Sequence, residues 1–111
     1  MARAWEELKA VIAAVRLGSD GRLRSDQVRR LLEFFEAQPP SRRREQALAW
    51  LFLAEAELRR RRGRAREALG PASTAYAYAR AARDGEAFAR AREAIAALRS
   101  EANGRPRSRG R

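Results

Sequence analysis

Apolar side chains recur with a period near 3.6 residues along most of this chain, a period typical of amphipathic α-helices. In the first predicted helix, residues 3–17, the positions Trp5, Leu8, Ile12 and Val15 share one face. No stretch alternates apolar and polar residues as a half-buried strand does. The pattern therefore predicts a structure made of helices alone.

The second predicted helix covers residues 26–37, with Ser25 as its N-cap, since serine hydroxyls accept bonds from free backbone N–H groups. Pro39 and Pro40 follow it, and proline removes a backbone donor and restricts the residue before it. The predicted core face of this helix consists of Val28, Leu31, Leu32 and Phe35. The spacing of these four positions, i, i+3, i+4 and i+7, gives a full apolar stripe.

A third helix is predicted over residues 42–62, with Ser41 as its N-cap. Its middle, residues 48–54, is apolar nearly all round, so we expect this helix to be the central one of the fold. Three arginines, at 42–44, lie near its N-terminus, where positive charge opposes the helix dipole. A ligand contact is one explanation for that small local cost.

The last third of the chain predicts two further helices, over residues 71–83 and 86–102. A short helical turn is predicted over 64–69, separated from the next helix by a break at Gly70 and Pro71. The small side chains of the predicted helix over residues 71–83 permit close approach of neighbouring helices. These patterns predict an all-α, single-domain bundle of about five helices over residues 1–102, followed by a disordered basic tail at 103–111.

Composition narrows the possible functions. The chain contains neither cysteine nor histidine, so thiolate metal sites, disulfides and the usual near-neutral acid/base group are absent. We therefore expect a protein that is not an enzyme and that holds no metal or cofactor. No apolar run reaches the ~18 residues that a membrane span needs, so we expect a soluble, cytoplasmic protein.

Charge indicates the class of partner. The net charge is +11, and arginine supplies 24 of the 25 basic residues, Lys9 being the only lysine. Base composition explains a preference for arginine over lysine, but it does not require such an excess of basic over acidic residues. Residues 59–66 contain six arginines and no acid, so no charge within the stretch compensates them. A nucleic-acid backbone is the natural partner for such a surface.

The arginines expected to contact that backbone fall into three groups along the chain, around the second helix and at both ends of the third. They are Arg22, Arg24, Arg29, Arg30, Arg42, Arg43, Arg44, Arg59, Arg60, Arg61, Arg62, Arg64 and Arg66. Two aromatic residues, Phe34 and Tyr78, lie next to core positions and are candidates for stacking on unpaired bases. No asparagine or glutamine is placed on a recognition helix for base readout.

Two stretches resemble the small helical subunit of type III-A (Csm-type) CRISPR interference complexes. Residues 23–31, LRSDQVRRL, resemble that family's LTTSQIRKF segment at a helix start. Phe88 followed by EAIAAL at residues 93–98 is similar to the family's closing pattern of a phenylalanine and then EAIVAY. Leu98 stands where the family has tyrosine, and the arginine-rich tail is not part of the family pattern.

The resemblance implies a non-catalytic RNA-binding subunit of a ribonucleoprotein. Copies of such a subunit stack along the complex, beside other subunits, and their basic faces line the groove that holds guide RNA and target RNA. By position, Gln27 and Arg29 would then lie on the RNA-facing or subunit-facing surface.

Two other classes remain open from the residues alone. One is a protein–protein adaptor resembling a short helical repeat, which would hold its partner at high salt. The other is a DNA-binding regulator or phage packaging component, which would prefer duplex DNA to single-stranded RNA.

Overall fold

The computed structural model describes residues 2–18 and 23–103 as helices and short connections, with no strand in these two segments. The predicted all-α class and the number of helices are confirmed. No helix of these segments is long and apolar enough to cross a lipid bilayer. In chain order the helices are α1 (Ala2–Leu17), α2 (Ser25–Glu36), α3 (Arg42–Arg61), α4 (Ala65–Ala82) and α5 (Gly85–Asn103).

Helix α3 is the centre of the fold, as its all-round apolar middle predicts. It packs against each of the other four helices, while α5 also packs against α4 and α1 against α2. Leu48, Ala49, Leu51 and Ala54 of α3 are fully buried, and Trp50 is 1% exposed. The middle of α3 is therefore largely buried, and its charged residues lie toward its two ends.

Helix α2 buries the apolar face that its periodicity predicts, whereas the buried face of α1 is shifted from the predicted one. In α2 the predicted residues Val28, Leu31 and Phe35 are buried and Leu32 is half-buried. In α1 the buried residues are Leu8, Val11 and Ala14. Trp5, Ile12 and Val15 lie at the edge of that face and are only half-buried.

Helix α4 is continuous through Pro71, so the predicted break between residues 64–69 and 71–83 is wrong. Proline lacks the N–H that would bond to the carbonyl four residues earlier, which here belongs to Glu67. That carbonyl accepts a bond from Nη1 of Arg59 at 3.3 Å. Because a side chain from α3 satisfies the freed acceptor and the Pro71 ring is buried, the helix continues where the local sequence predicts a stop.

Helix α3 ends at a glycine in the left-handed conformation. Gly63 has a φ of 76°, and its N–H donates to the carbonyl of Arg60 at 2.9 Å. The N–H of Arg64 donates to the carbonyl of Arg59 at 3.0 Å. These two bonds form a Schellman motif, the helix ending that glycine favours because it has no Cβ.

Helix α4 ends with the same motif built on an arginine. Arg83 has a φ of 57° and is the one non-glycine residue with positive φ in the described segments. Its N–H donates to Arg80, and the N–H of Asp84 donates to the carbonyl of Ala79 at 3.0 Å. A residue with a Cβ in this conformation costs about 1–2 kcal/mol, so strain is stored at the α4–α5 junction.

Asp84 joins three helices at that junction. Its Oδ2 accepts bonds from Nε1 of the buried Trp50 and from Nε2 of Gln46, both at 2.9 Å. Its Oδ1 accepts a bond from the backbone N–H of Ala87 at 3.1 Å, which caps the N-terminus of α5. Burial acts to raise the pKa of Asp84, but these hydrogen bonds outweigh it and hold the pKa below its usual value.

Three predicted helix boundaries can be compared with the structure. Ser41 caps α3 as predicted, since its hydroxyl accepts a bond from the helix backbone at 3.1 Å. The predicted cap at Ser25 is wrong, because α2 begins at that residue and Arg24 occupies the cap position without a side-chain bond. Helix α5 ends at Asn103, one residue beyond the predicted domain boundary. The predicted tail beyond it, residues 104–111, lies outside the described segments.

Candidate nucleic-acid interface

The arginine block at residues 59–66 divides between two sides of α3. Arg60 and Arg61 lie on the side that faces α1 and α5, where both pair with Glu57 at 2.6 and 3.0 Å. Arg60 also lies 3.9 Å from Glu101 of α5. The Arg60 bond, together with that of Arg61, holds the pKa of Glu57 below its usual value although burial acts in the opposite direction.

Residues 59–66 contain no acid, but carboxylates outside this stretch compensate several of its arginines. The compensating carboxylates lie just outside the stretch, on the preceding and following turns and on a neighbouring helix. Arg59 pairs with Glu55 at 2.8 Å, and Arg64 lies 3.7 Å from Glu67 in an exposed pair. The spacing of Glu55 and Glu57 ahead of the arginines, three and four residues, is the sequence signal that predicts these pairs.

Two arginines at the start of α3 complete the ends of other helices. Nε of Arg42 donates to the carbonyl of Ala82 at the end of α4, at 2.7 Å. Arg44 donates from Nε to the carbonyl of Phe35 at 2.9 Å, and from Nη2 to that of Glu36 at 3.2 Å, at the end of α2. The last carbonyls of a helix lack intrahelical donors and carry partial negative charge. These contacts explain, without a ligand, why basic residues occupy the start of α3.

Arg43, the third residue of this group, stacks on an aromatic ring. Its guanidinium carbon lies 4.4 Å from the ring centroid of Trp5, a cation–π contact between α3 and α1. Arg43 remains exposed while Trp5 is half-buried. The outer face and the N–H groups of Arg43 therefore stay accessible from solvent.

The two aromatic residues proposed for base stacking are both half-buried. Tyr78 is stacked on Phe52, with ring centroids 5.9 Å apart and an interplanar angle of 7°. Phe34 meets Phe35 edge-on at 5.0 Å. One face of Tyr78 is thus occupied inside the bundle, whereas the rings of Phe34 and Phe35 are perpendicular and not stacked.

The predicted RNA-binding residues on and just before α2 differ in how strongly they interact with other side chains of the protein. Arg30 donates to Glu7 of α1 at 2.8 Å. This bond is the main reason that the pKa of Glu7 lies below its usual value, and the half-buried Gln27 side chain lowers that pKa further. Within the described segments, Arg24 forms a long, exposed pair with Asp26, at 3.8 Å.

Arg29 of α2 is brought together with arginines from the end of α3 and the start of α4. The three helices enclose a groove of about 460 Å³, which we call the basic groove. Its charged lining consists of Arg29, Arg59, Arg62, Arg64, Glu55 and Glu67. Four arginines against two glutamates leave two positive charges. Half-buried Leu32 and Phe52 also line the groove.

Two of these arginines have no charged or hydrogen-bonding partner within the described segments. Arg29 and Arg62 are exposed, and neither forms an ion pair or side-chain hydrogen bond to a residue in 2–18 or 23–103. Each guanidinium has five N–H donors in a planar fork that matches a phosphate bidentately. Their joint position makes the basic groove a candidate anion site.

Arg66 and Arg22 complete the predicted set. Arg66 is exposed on the first turn of α4 and does not line it. Arg22 lies outside the described segments. Within those segments no three acidic side chains gather in a way that could hold a metal ion. The arrangement as a whole can bind an anion by hydrogen bonding and charge.

Comparison with protein-family models, with curated proteins and with solved structures gives no match to this chain.

Proposed function

We propose that this protein binds RNA without catalysing a reaction, and that the basic groove is where it holds the phosphate backbone. The observation that carries the proposal is that Arg29 and Arg62, from separate helices, line the same groove with no intramolecular partner for either in the described segments. A phosphate has the charge and the oxygen geometry to pair with such guanidinium groups.

The experiment compares two double variants that remove equal charge. The first variant combines Arg29→Ala and Arg62→Ala and so removes the two unpaired arginines from the groove. Arg92→Ala with Arg99→Ala removes two exposed arginines of α5, a helix that does not line the groove. Binding of a fluorescent single-stranded RNA is measured by anisotropy over a range of salt concentrations.

The groove variant should bind more weakly, and its log–log salt slope should fall by about 1.4, since each lost contact to a single strand contributes roughly 0.7. The control should keep the slope of the unmodified protein. Equal losses in the two variants would assign binding to overall charge, and an unchanged groove variant would remove the groove from the interface. Duplex DNA in the same assay tests the DNA-binding alternative, which requires tighter binding to the duplex.

The finer proposal is that the protein is the small subunit of a type III-A CRISPR ribonucleoprotein, beside copies of itself and other subunits on guide and target RNA. It is supported by the sequence resemblance at residues 23–31 and 93–98. Purification from the native cells in moderate salt, followed by sequencing of the accompanying nucleic acid, tests it. Short RNAs with a shared repeat-derived end are expected together with larger subunits, and nucleic acid without such an end would contradict the proposal.

The internal pairing of Arg60 and Arg61 favours the adaptor as the second candidate, because much of the block's charge is already engaged within the fold. Arg60 and Arg61 line a cleft of about 400 Å³ between α3, α1 and α5, and Leu53 also lines this cleft. An adaptor should retain a protein partner at salt concentrations that release RNA.

A further inference from the structure

A second concave site, about 360 Å³ in volume, lies where the start of α1, the end of α2 and the start of α3 meet. Phe34, Phe35 and Trp5 form one part of its wall, and Pro39 and Pro40 form another. We call it the aromatic pocket. Its size falls within the range of small-molecule sites, which are largely apolar with a few convergent polar groups.

The polar groups of the aromatic pocket are cationic or neutral. Arg43, Arg44, Gln38 and Ser41 line it, and no carboxylate does. This distinguishes it from the basic groove and from the α1–α5 cleft, both of which contain glutamates. Flat apolar walls together with uncompensated positive charge match a ligand that combines an aromatic ring with an anion.

The pocket is held in place by contacts that exist without a ligand. Arg44 is fixed by its two bonds to α2 carbonyls, and these use two of its five N–H donors. Gln38 donates to the carbonyl of Phe34 at 3.2 Å. The guanidinium carbon of Arg43 lies over the Trp5 ring, 4.4 Å from its centroid. A ligand therefore meets preorganised groups and loses less entropy on binding.

From this geometry we propose that the aromatic pocket takes one unstacked nucleobase of the strand bound in the basic groove, against the Phe34 ring and the Arg43 guanidinium. This inference rests on the proposed function. Bases of single-stranded RNA stack on aromatic rings and on arginine planes in this way. The remaining N–H donors of Arg44 would contact the adjoining phosphates.

The two sites lie at opposite ends of α3, with Arg43 on its first turn and Arg59 on its last. At a rise of 1.5 Å per residue they are about 24 Å apart along the helix axis. A strand that occupies both must therefore span several nucleotides. This separation sets the probe, a twelve-nucleotide single-stranded RNA, and its control, an abasic ribose-phosphate strand with the same number of phosphates.

The experiment measures the affinity of both strands for the unmodified protein and for two variants that keep the net charge. Phe34→Leu removes the ring but retains apolar volume, and Arg43→Lys keeps the charge but loses the stacking plane. Tyr78→Leu is the matched control, since Tyr78 is also half-buried but lies outside the pocket. Circular dichroism checks that each variant folds.

The unmodified protein should bind the RNA roughly five- to a hundred-fold more tightly than the abasic strand, the range given by stacking of one base. Phe34→Leu and Arg43→Lys should lose most of that difference while binding the abasic strand within about twofold of normal. Equal binding of the two strands by the unmodified protein overturns this inference and leaves the basic groove intact. A difference that survives in both variants also overturns it. Failure to bind either strand overturns the proposed function itself.

Discussion

Replacing Asp84 with alanine should weaken the fold at the point where α3, α4 and α5 meet. The substitution removes the acceptor for Trp50 and Gln46 at 2.9 Å and for the N–H of Ala87 at 3.1 Å. Trp50 is 1% exposed, so its indole N–H has little access to water as a substitute acceptor.

Two contributions set the magnitude. Loss of an aspartate N-cap costs about 1 kcal/mol, here at the start of α5. Leaving the buried donor of Trp50 unsatisfied costs about 1–3 kcal/mol. The sum, about 2–4 kcal/mol, is a large part of the 5–15 kcal/mol that typically separates folded from unfolded domains.

Urea unfolding followed by far-ultraviolet circular dichroism measures this loss directly. A double-mutant cycle with Trp50→Phe, which removes the donor, should return a coupling of about 1–2 kcal/mol between the two side chains. Asp26→Ala is the control, because Asp26 occupies the first turn of α2 with an exposed carboxylate, and it should change stability by less than about 0.5 kcal/mol.

Acidification gives an independent check. The pKa of Asp84 is lower in the folded protein than its ordinary value of about 3.9, so the carboxylate contributes stability above that value. The contribution is lost as the pH falls below about 4 through the folded-state pKa. Asp84→Ala should therefore lose less stability than the unmodified protein over that interval. A loss of less than about 0.5 kcal/mol at neutral pH, or an unchanged acid dependence, would refute the reasoning.

The other predictions use the same unfolding measurement. Leu51→Ala should cost about 2–5 kcal/mol through a cavity in the centre of the fold, and easy tolerance would contradict the central position of α3. Arg83→Gly should stabilise the protein by about 1 kcal/mol by relieving positive φ, whereas Gly63→Ala should destabilise it by a similar amount; a loss on Arg83→Gly would show that its side chain matters more than its strain. Arg44→Ala should cost about 1 kcal/mol, because it removes the Arg44 bond from the Glu36 carbonyl and leaves the Phe35 carbonyl with the N–H of Gln38 alone, and no change would mean that water replaces the guanidinium fully.

Periodicity predicted the helices well because each one buries a single stripe or, in the middle of α3, most of its circumference. The stripe of α2, from Val28 to Phe35, is buried or half-buried as its spacing predicts. The break at Pro71 was predicted wrongly because the compensation is tertiary. The donor that satisfies the Glu67 carbonyl comes from Arg59, eight residues earlier on another helix.

The roles of individual arginines were less accessible from the sequence. Arg42 donates to a carbonyl that lies 40 residues away in the sequence, and Arg44 donates to one that lies nine residues away. The sequence around these two arginines does not indicate which carbonyls accept their bonds. The pairing of Arg60 with Glu57, three residues apart, was readable from helical spacing. The meeting of Arg29 with Arg62 depends on how α2 packs against α3, which composition and periodicity do not specify.

The packing of α4 on α3, the most extensive helix–helix contact of the fold, has a consequence for the order of folding. The α4 side of this contact is lined by alanines with at most 1% exposure, Ala68, Ala72, Ala75, Ala79 and Ala82. The two helices are joined by only three residues, 62–64, so bringing them together closes a short loop at little entropic cost. Contacts that are local along the chain form early. We therefore expect the α3–α4 hairpin to form the folding nucleus, onto which α5 and then the α1–α2 pair dock.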